Sequence, residues 1–141
     1  MAQAREAGAQ LMLSLNASPF HLDKQREREE ILAQRAREGG MPVVYVNQVG
    51  GQDELVFDGG SCVVDADGRV CQRAQMYEEC LFPADLRWDG TGVAVHQSHP
   101  APLPELEPAS TRHWWSACAT TWPRTVSRAW CWGCRAASTR R

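Results

Sequence analysis

Leu11-Met12-Leu13-Ser14-Leu15-Asn16, the charged run from Leu22 to Gly39, and Met41-Pro42-Val43-Val44-Tyr45-Val46-Asn47 decide between them how this chain folds. The first run is apolar and bounded by Gly8 and Pro19, and the third is β-branched and apolar, so each reads as a buried strand. Between them Lys, Arg, Glu and Gln crowd a stretch in which Leu22, Ile31, Leu32 and Ala36 are the sparse apolar positions, and Gly39-Gly40 supplies a stop. That stretch predicts an amphipathic helix with a broad solvated face. Its charge run reads as wet helix surface and not as a site. Strand, helix, strand is a βαβ pattern.

Ala4 to Gln10 reads as a short helical tail ahead of the first strand. Downstream, Leu55-Val56-Phe57 and Ser61-Cys62-Val63-Val64-Asp65 read as short strands, and Asp67-Gly68 is a turn signal before Arg69-Val70-Cys71. A hairpin therefore follows the βαβ unit. Residues 79–84 read as one further strand, and Pro and polar residues dominate 88–108 as in a linker. The fold class is α/β and layered, which by itself names no reaction.

Composition narrows the classes of function. At 141 residues the chain suits one compact domain if nearly all of it joins a single core. With 17 acidic and 15 basic residues, it has no global drive toward nucleic acid or an anionic membrane. No apolar run approaches the roughly 20 residues of a membrane-spanning helix, and Met1 is followed by Ala-Gln-Ala-Arg-Glu-Ala and not by a secretory leader. The chain reads as soluble and cytoplasmic, with its six cysteines as reduced thiols.

Two strings are more specific than the pattern of elements. One is Asn16-Ala17-Ser18-Pro19-Phe20 at a strand end. The other is Tyr45-Val46-Asn47-Gln48-Val49-Gly50-Gly51-Gln52-Asp53-Glu54-Leu55-Val56-Phe57-Asp58-Gly59. Together they resemble the nitrilase-like amidase (carbon-nitrogen hydrolase) domain of bacterial glutamine-dependent NAD synthetases, over about residues 4–87. The resemblance implies part of an α-β-β-α sandwich, its C-terminal half, followed by an irregular tail. It implies a parent that hydrolyses L-glutamine and uses the ammonia for ATP-dependent amidation of deamido-NAD, with ATP and Mg2+ serving the parent and not this chain. A cytoplasmic homo-oligomer is the expected state of that parent.

A loop leaving the end of a buried strand can offer a hydroxyl and an ammonium to an α-amino acid, the Lys as a point charge for carboxylate. Ser18 and Lys24 are the residues that fit, and the resemblance makes them glutamine contacts. Read from the residues alone, they are a turn-stabilising Ser before Pro19 and a solvated Lys at a helix start. Gln52, Asp53 and Glu54 read as an acidic, amide-bearing loop that is either a wall of the glutamine pocket, a subunit contact or a plain solvent-facing turn. The family's Cys nucleophile, Glu base and Lys are expected upstream of Asn16-Ala17-Ser18-Pro19, so no catalytic residue and no metal ligand is assigned here. Cys62, Cys71 and Cys80 sit on strand-like segments among apolar neighbours, where buried or half-buried structural thiols are expected.

Five of six tryptophans fall between Trp114 and Trp132, with Cys118, Cys131 and Cys134, and no period organises them. Cys131-Trp132-Gly133-Cys134 lacks a second pair at metal-ligand spacing. Trp has the single codon TGG, so reading one base back turns each into a Leu, Val or Met codon followed by one that begins with G. From His113 onward this yields a strand-like apolar run ending in Ser-Gly-Gly-Ile-Asp-Ser, which looks like the pyrophosphate-binding loop of the synthetase domain. Residues 109–141 are therefore expected to be out of frame and unstructured. Two other readings are a piece of a free-standing carbon-nitrogen hydrolase and a non-catalytic interaction protein with a sticky Trp-rich tail.

Overall fold

A computed structural model describes residues 1–52, 55–96 and 100–103. A short helix, α1 (Ala2–Glu6), precedes strand β1 (Met12–Asn16), helix α2 (Lys24–Gly39) and strand β2 (Val43–Asn47). The strands β3 (Val49–Gln52), β4 (Leu55–Asp58), β5 (Cys62–Val64), β6 (Val70–Arg73), β7 (Leu86–Trp88) and β8 (Val93–Val95) follow.

β1, β2, β5 and β6 form one sheet in that order. β1 and β2 run parallel, with Met12 opposite Val43 and Asn16 opposite Asn47, because the connecting helix returns the chain to the starting edge. β2–β5 and β5–β6 are antiparallel. α2 covers one face, where Ala36, Val43, Tyr45, Cys62 and Val64 make the core, with Met12, Leu32, Ala33 and Val70 packed against it. On the other face Leu13, Leu15 and Val46 are exposed, 60%, 79% and 44%. One helix layer on one sheet is half of a four-layer sandwich, and this apolar far face is the side on which a second sheet packs in that architecture.

The predicted hairpin is β5–β6. Its turn closes with the Gly68 N–H donating to Asp65 O (3.0 Å) and the Arg69 N–H to Asp65 Oδ1 (2.8 Å). Gly68 is required there twice over: φ is +82°, and a Cβ would stand 2.3 Å from Arg37 Nη1 and 2.8 Å from Ala33 O of α2.

Several expectations are corrected. The first helix ends at Glu6, because Gly8 takes φ +85° and turns the chain toward β1. α2 begins at Lys24 and not at Leu22, since Asp23 stands in the left-handed region at φ 59°. Leu22 and Ile31 consequently point away from the sheet and are exposed, while Gln25 and Arg28, inside the supposed wet face, are buried. The loop read over Gly50 to Glu54 begins as a strand: β3 pairs with β4, Gly51 opposite Val56 and Gln52 opposite Leu55. Residues 79–84 form no strand, since Pro83 has no N–H to offer a ladder and its carbonyl instead accepts from Gln72 Nε2 (2.8 Å). Cys80, read as structural on that strand, is exposed.

The stretch read as linker carries part of a further hairpin, β7–β8. Asp89 Oδ1 accepts from the Thr91 N–H, the Thr91 hydroxyl and the Gly92 N–H at 2.8–2.9 Å, which ties the turn and holds the carboxyl below its usual range. Residues 104–141, with the Trp-rich segment and its cysteines, lie outside the described residues.

Candidate functional site

The loop between β1 and α2 leaves the sheet at Asn16 and is held from three directions. From β2, Asn47 Oδ1 accepts the Ser18 N–H (2.8 Å) while its Nδ2 donates to Ser18 O (3.2 Å), Gly59 O (2.9 Å) and Asp58 Oδ1 (3.4 Å). From α2, Arg28 Nη2 donates to Ser18 O (3.0 Å), Ser18 Oγ (3.2 Å) and Pro19 O (3.0 Å), and Nε to Ser18 Oγ (3.3 Å). From β4, the Phe20 N–H reaches Val56 O (2.7 Å), and the Phe20 ring meets Tyr77 at 6.0 Å between centroids.

Arg28 Nη1 is paired with Asp58 Oδ2 at 2.8 Å, the two side chains 5% and 1% exposed. The same nitrogen reaches Gln25 Oε1 (3.3 Å), and Gln25 Nε2 donates to Gly60 O (3.0 Å). Gly60 must be glycine for this contact, because its φ is +69° and a Cβ would lie 2.3 Å from Gln25 Oε1. A buried guanidinium and carboxylate are tolerable only when paired and fully hydrogen-bonded, and here both conditions hold. Tyr45 lines the same region: burial pushes its phenol up, while the Arg28 charge and the Ser18 hydroxyl pull it down.

Of the two residues singled out from the sequence, Ser18 sits inside this network, its hydroxyl oxygen accepting from Arg28 and its own hydrogen facing the Tyr45 phenol, whose pKa that contact lowers. Lys24 is the first residue of α2, 31% exposed, with Nζ on Glu27 Oε2 at 2.8 Å. That ion pair holds the Glu27 carboxyl below its usual range and is open to solvent, so an incoming carboxylate can displace Glu27. Lys24 lines a cleft of about 50 Å³ with Phe20, Asp58 and Tyr77; Ser18 is not among its walls. Both residues belong to one loop-and-helix start, but the structure does not bring them to a common enclosed pocket. Gln52 ends β3 on the surface, and Asp53 and Glu54 lie outside the described residues.

Neither thiol of the main sheet is set up as a nucleophile. Burial pushes Cys62 up to about 12, and Cys71 is raised by burial and by neighbouring Asp65, so both hold their protons near neutrality. Among the described residues no three His, Cys, Asp or Glu side chains are grouped to hold a metal ion.

Asn47, Arg28, Gln25 and Asp58 were not singled out from the sequence. A signal was present, since Gln25, Arg28, Leu32, Ala36 and Gly39 continue one helical stripe at spacings of three and four, and the stripe stays buried where it turns polar.

Residues 1–94 match the carbon-nitrogen hydrolase family. The chain belongs to that family. Within it, this carbon-nitrogen hydrolase chain is similar to the glutamine-dependent NAD(+) synthetase of Xanthomonas campestris pv. campestris, 51% identical over 85 residues, 60% of this chain and 15% of that protein. The Thermotoga maritima enzyme of the same name is 45% identical over 82 residues, 58% of this chain and 14% of that one. The structure of glutamine-dependent NAD+ synthetase from Acinetobacter baumannii, in complex with ADP, superposes with a TM-score of 0.65 at 35% identity, over 74% of this chain and 20% of that chain. This carbon-nitrogen hydrolase chain thus spans about one seventh of the length of those curated relatives. Both strings that carried the resemblance fall inside the matched residues.

Proposed function

We propose that this chain is the glutamine-contacting part of the amidase half of a glutamine-dependent NAD synthetase. In the whole protein, glutamine hydrolysis supplies ammonia for the ATP-dependent amidation of deamido-NAD. Ser18 orients the amino acid through its hydroxyl, and Lys24 takes the α-carboxylate in place of Glu27. One observation carries the reading: a surface loop is fixed by a buried guanidinium, a carboxylate and an amide far beyond what a connecting turn needs, and Ser18 is what they fix. ATP, Mg2+ and deamido-NAD belong to the remainder of that protein, and no step in the described residues involves them. The cytoplasm and a homo-oligomeric assembly follow from the same reading; among the described residues no helix is long and apolar enough to cross a membrane.

The reading extends to residues 109–141 as an out-of-frame stretch. Coding DNA that continues, one base back, into an ATP-binding domain supports a synthetase; DNA without it supports a free-standing hydrolase. The direct test is titration of L-glutamine into the 15N-labelled chain. The amides of the Ser18 loop and of Lys24 shift, and Ser18→Ala and Lys24→Ala each weaken binding by about tenfold, the order expected for losing one hydrogen bond or charge contact. Shifts confined to other parts of the chain refute the site.

A further inference from the structure

We propose that Arg28 and Asp58 are positioning residues for the amino-acid substrate, acting through Ser18; the inference rests on the glutamine-site reading above. The guanidinium uses all three nitrogens. Nε and Nη2 converge on Ser18 Oγ, Nη2 also takes the carbonyls of Ser18 and Pro19, and Nη1 is anchored on Asp58 Oδ2 and Gln25 Oε1. Two donors on one hydroxyl oxygen leave its hydrogen a narrow range of directions. Arg28 therefore fixes the Ser18 oxygen and the direction of its hydrogen, which lies toward the Tyr45 phenol until an amino acid takes it, and does not merely hold the loop in place.

Spacing adds a second constraint. Arg28 lies four residues after Lys24, one turn along α2, so the helix that carries the substrate-facing ammonium also carries the fork that aims the hydroxyl. Hydroxyl and ammonium are thereby held in a fixed relation although they sit on different elements. Asp58 fixes the fork from the opposite side, and Asn47 Nδ2 on its other oxygen and Asn47 Oδ1 on the Ser18 N–H link the carboxylate back to the same loop. An apolar pair of equal volume would fill this space at little or no cost in stability, so the ion pair is not explained by packing alone.

Lys at position 28 keeps the positive charge for Asp58 but replaces a planar fork with a single ammonium, which cannot hold Ser18 Oγ and both carbonyls together. The test uses the full chain in three forms: wild type, Arg28→Lys, and Arg35→Lys as a control on the exposed pair with Glu38. L-Glutamine affinity and the amide shifts of Ser18 and Lys24 are read by NMR, and folding by the thermal midpoint. The expected result for Arg28→Lys is a folded chain with affinity lower by about tenfold or more, in which glutamine still shifts Lys24 but no longer Ser18. The control behaves as wild type. A folded Arg28→Lys chain that binds as wild type does, or loses the Ser18 and Lys24 responses in parallel, overturns the positioning role. Should Arg28→Lys not fold, Asp58→Asn is read by the same two shifts and the same criterion. A wild-type chain with no glutamine response in this loop removes the site itself, a failure distinct from that of Arg28 alone.

Discussion

Replacing Arg28 by Met keeps most of the side-chain volume and removes every polar contact the guanidinium makes. Asp58, 1% exposed, is then left with the single long contact from Asn47 Nδ2 at 3.4 Å, and the carbonyls of Ser18 and Pro19 lose a donor each. Removing one partner of a buried pair costs about 3–5 kcal/mol, because the remaining charge stays desolvated and uncompensated. Total stabilities of small domains lie at about 5–15 kcal/mol, so this one change consumes a large part of the margin. Removing the second charge as well, in Arg28→Met with Asp58→Leu, restores about 2 kcal/mol or more, since what remains is the loss of the carbonyl bonds and not a stranded carboxylate. Urea unfolding followed by circular dichroism, as a double-mutant cycle, measures the coupling directly. Repeating it at about 0.15 M and about 1 M NaCl separates a shielded pair from a screened one. A single-variant loss below about 1 kcal/mol, additive single changes, or a coupling that vanishes in salt would refute the argument that this pair is buried and mutually dependent.

Gly68→Ala and Gly8→Ala share a positive φ, +82° and +85°, but only position 68 faces α2 at close range. Gly8→Ala is expected to cost about 1 kcal/mol of backbone strain and Gly68→Ala clearly more, at least about 2 kcal/mol, as the hairpin is pushed off the helix; equal urea midpoints for the two variants would contradict the close packing. Alkaline pH should destabilise the chain in a predictable window. The folded state keeps the Cys62 proton up to about 12, whereas the unfolded thiol releases it near its ordinary value of 9.0, so this contribution is fully present below pH 9 and is lost as pH rises toward 12. The slope approaches about 1.4 kcal/mol per pH unit, and the Tyr45 and Tyr77 phenols, both raised by burial, steepen it further. Urea midpoints from about pH 8 to about pH 11 measure this; Cys62→Ala flattens the first part of the fall, and pH-independent midpoints in the parent chain contradict the burial assignment.

The parallel pair β1–β2, the helix between them and the β5–β6 hairpin were legible because each rests on a local cause. These are apolar runs bounded by breakers, a helical stripe at Leu32 and Ala36, and the Asp67-Gly68 turn. Ser18 and Lys24 stand out as glutamine contacts only through the resemblance, since a Ser before Pro and a Lys at a helix start look the same with or without a ligand. The β7–β8 hairpin was missed although Asp89-Gly90-Thr91-Gly92 is a turn between two short alternating runs; the surrounding Pro and polar residues hid three-residue strands.

The order β1, α2, β2 and the β5–β6 hairpin can be read from the sequence, because periodicity reports burial wherever the buried side chains are apolar. The burial of Arg28 and its pairing come from the tertiary structure alone. In the chain Arg28 is one cation among many on a charged helix, and its partner Asp58 lies 30 residues away on another element. A charge can be buried only where folding supplies its counter-charge and acceptors, and that pairing depends on long-range geometry that no local pattern encodes.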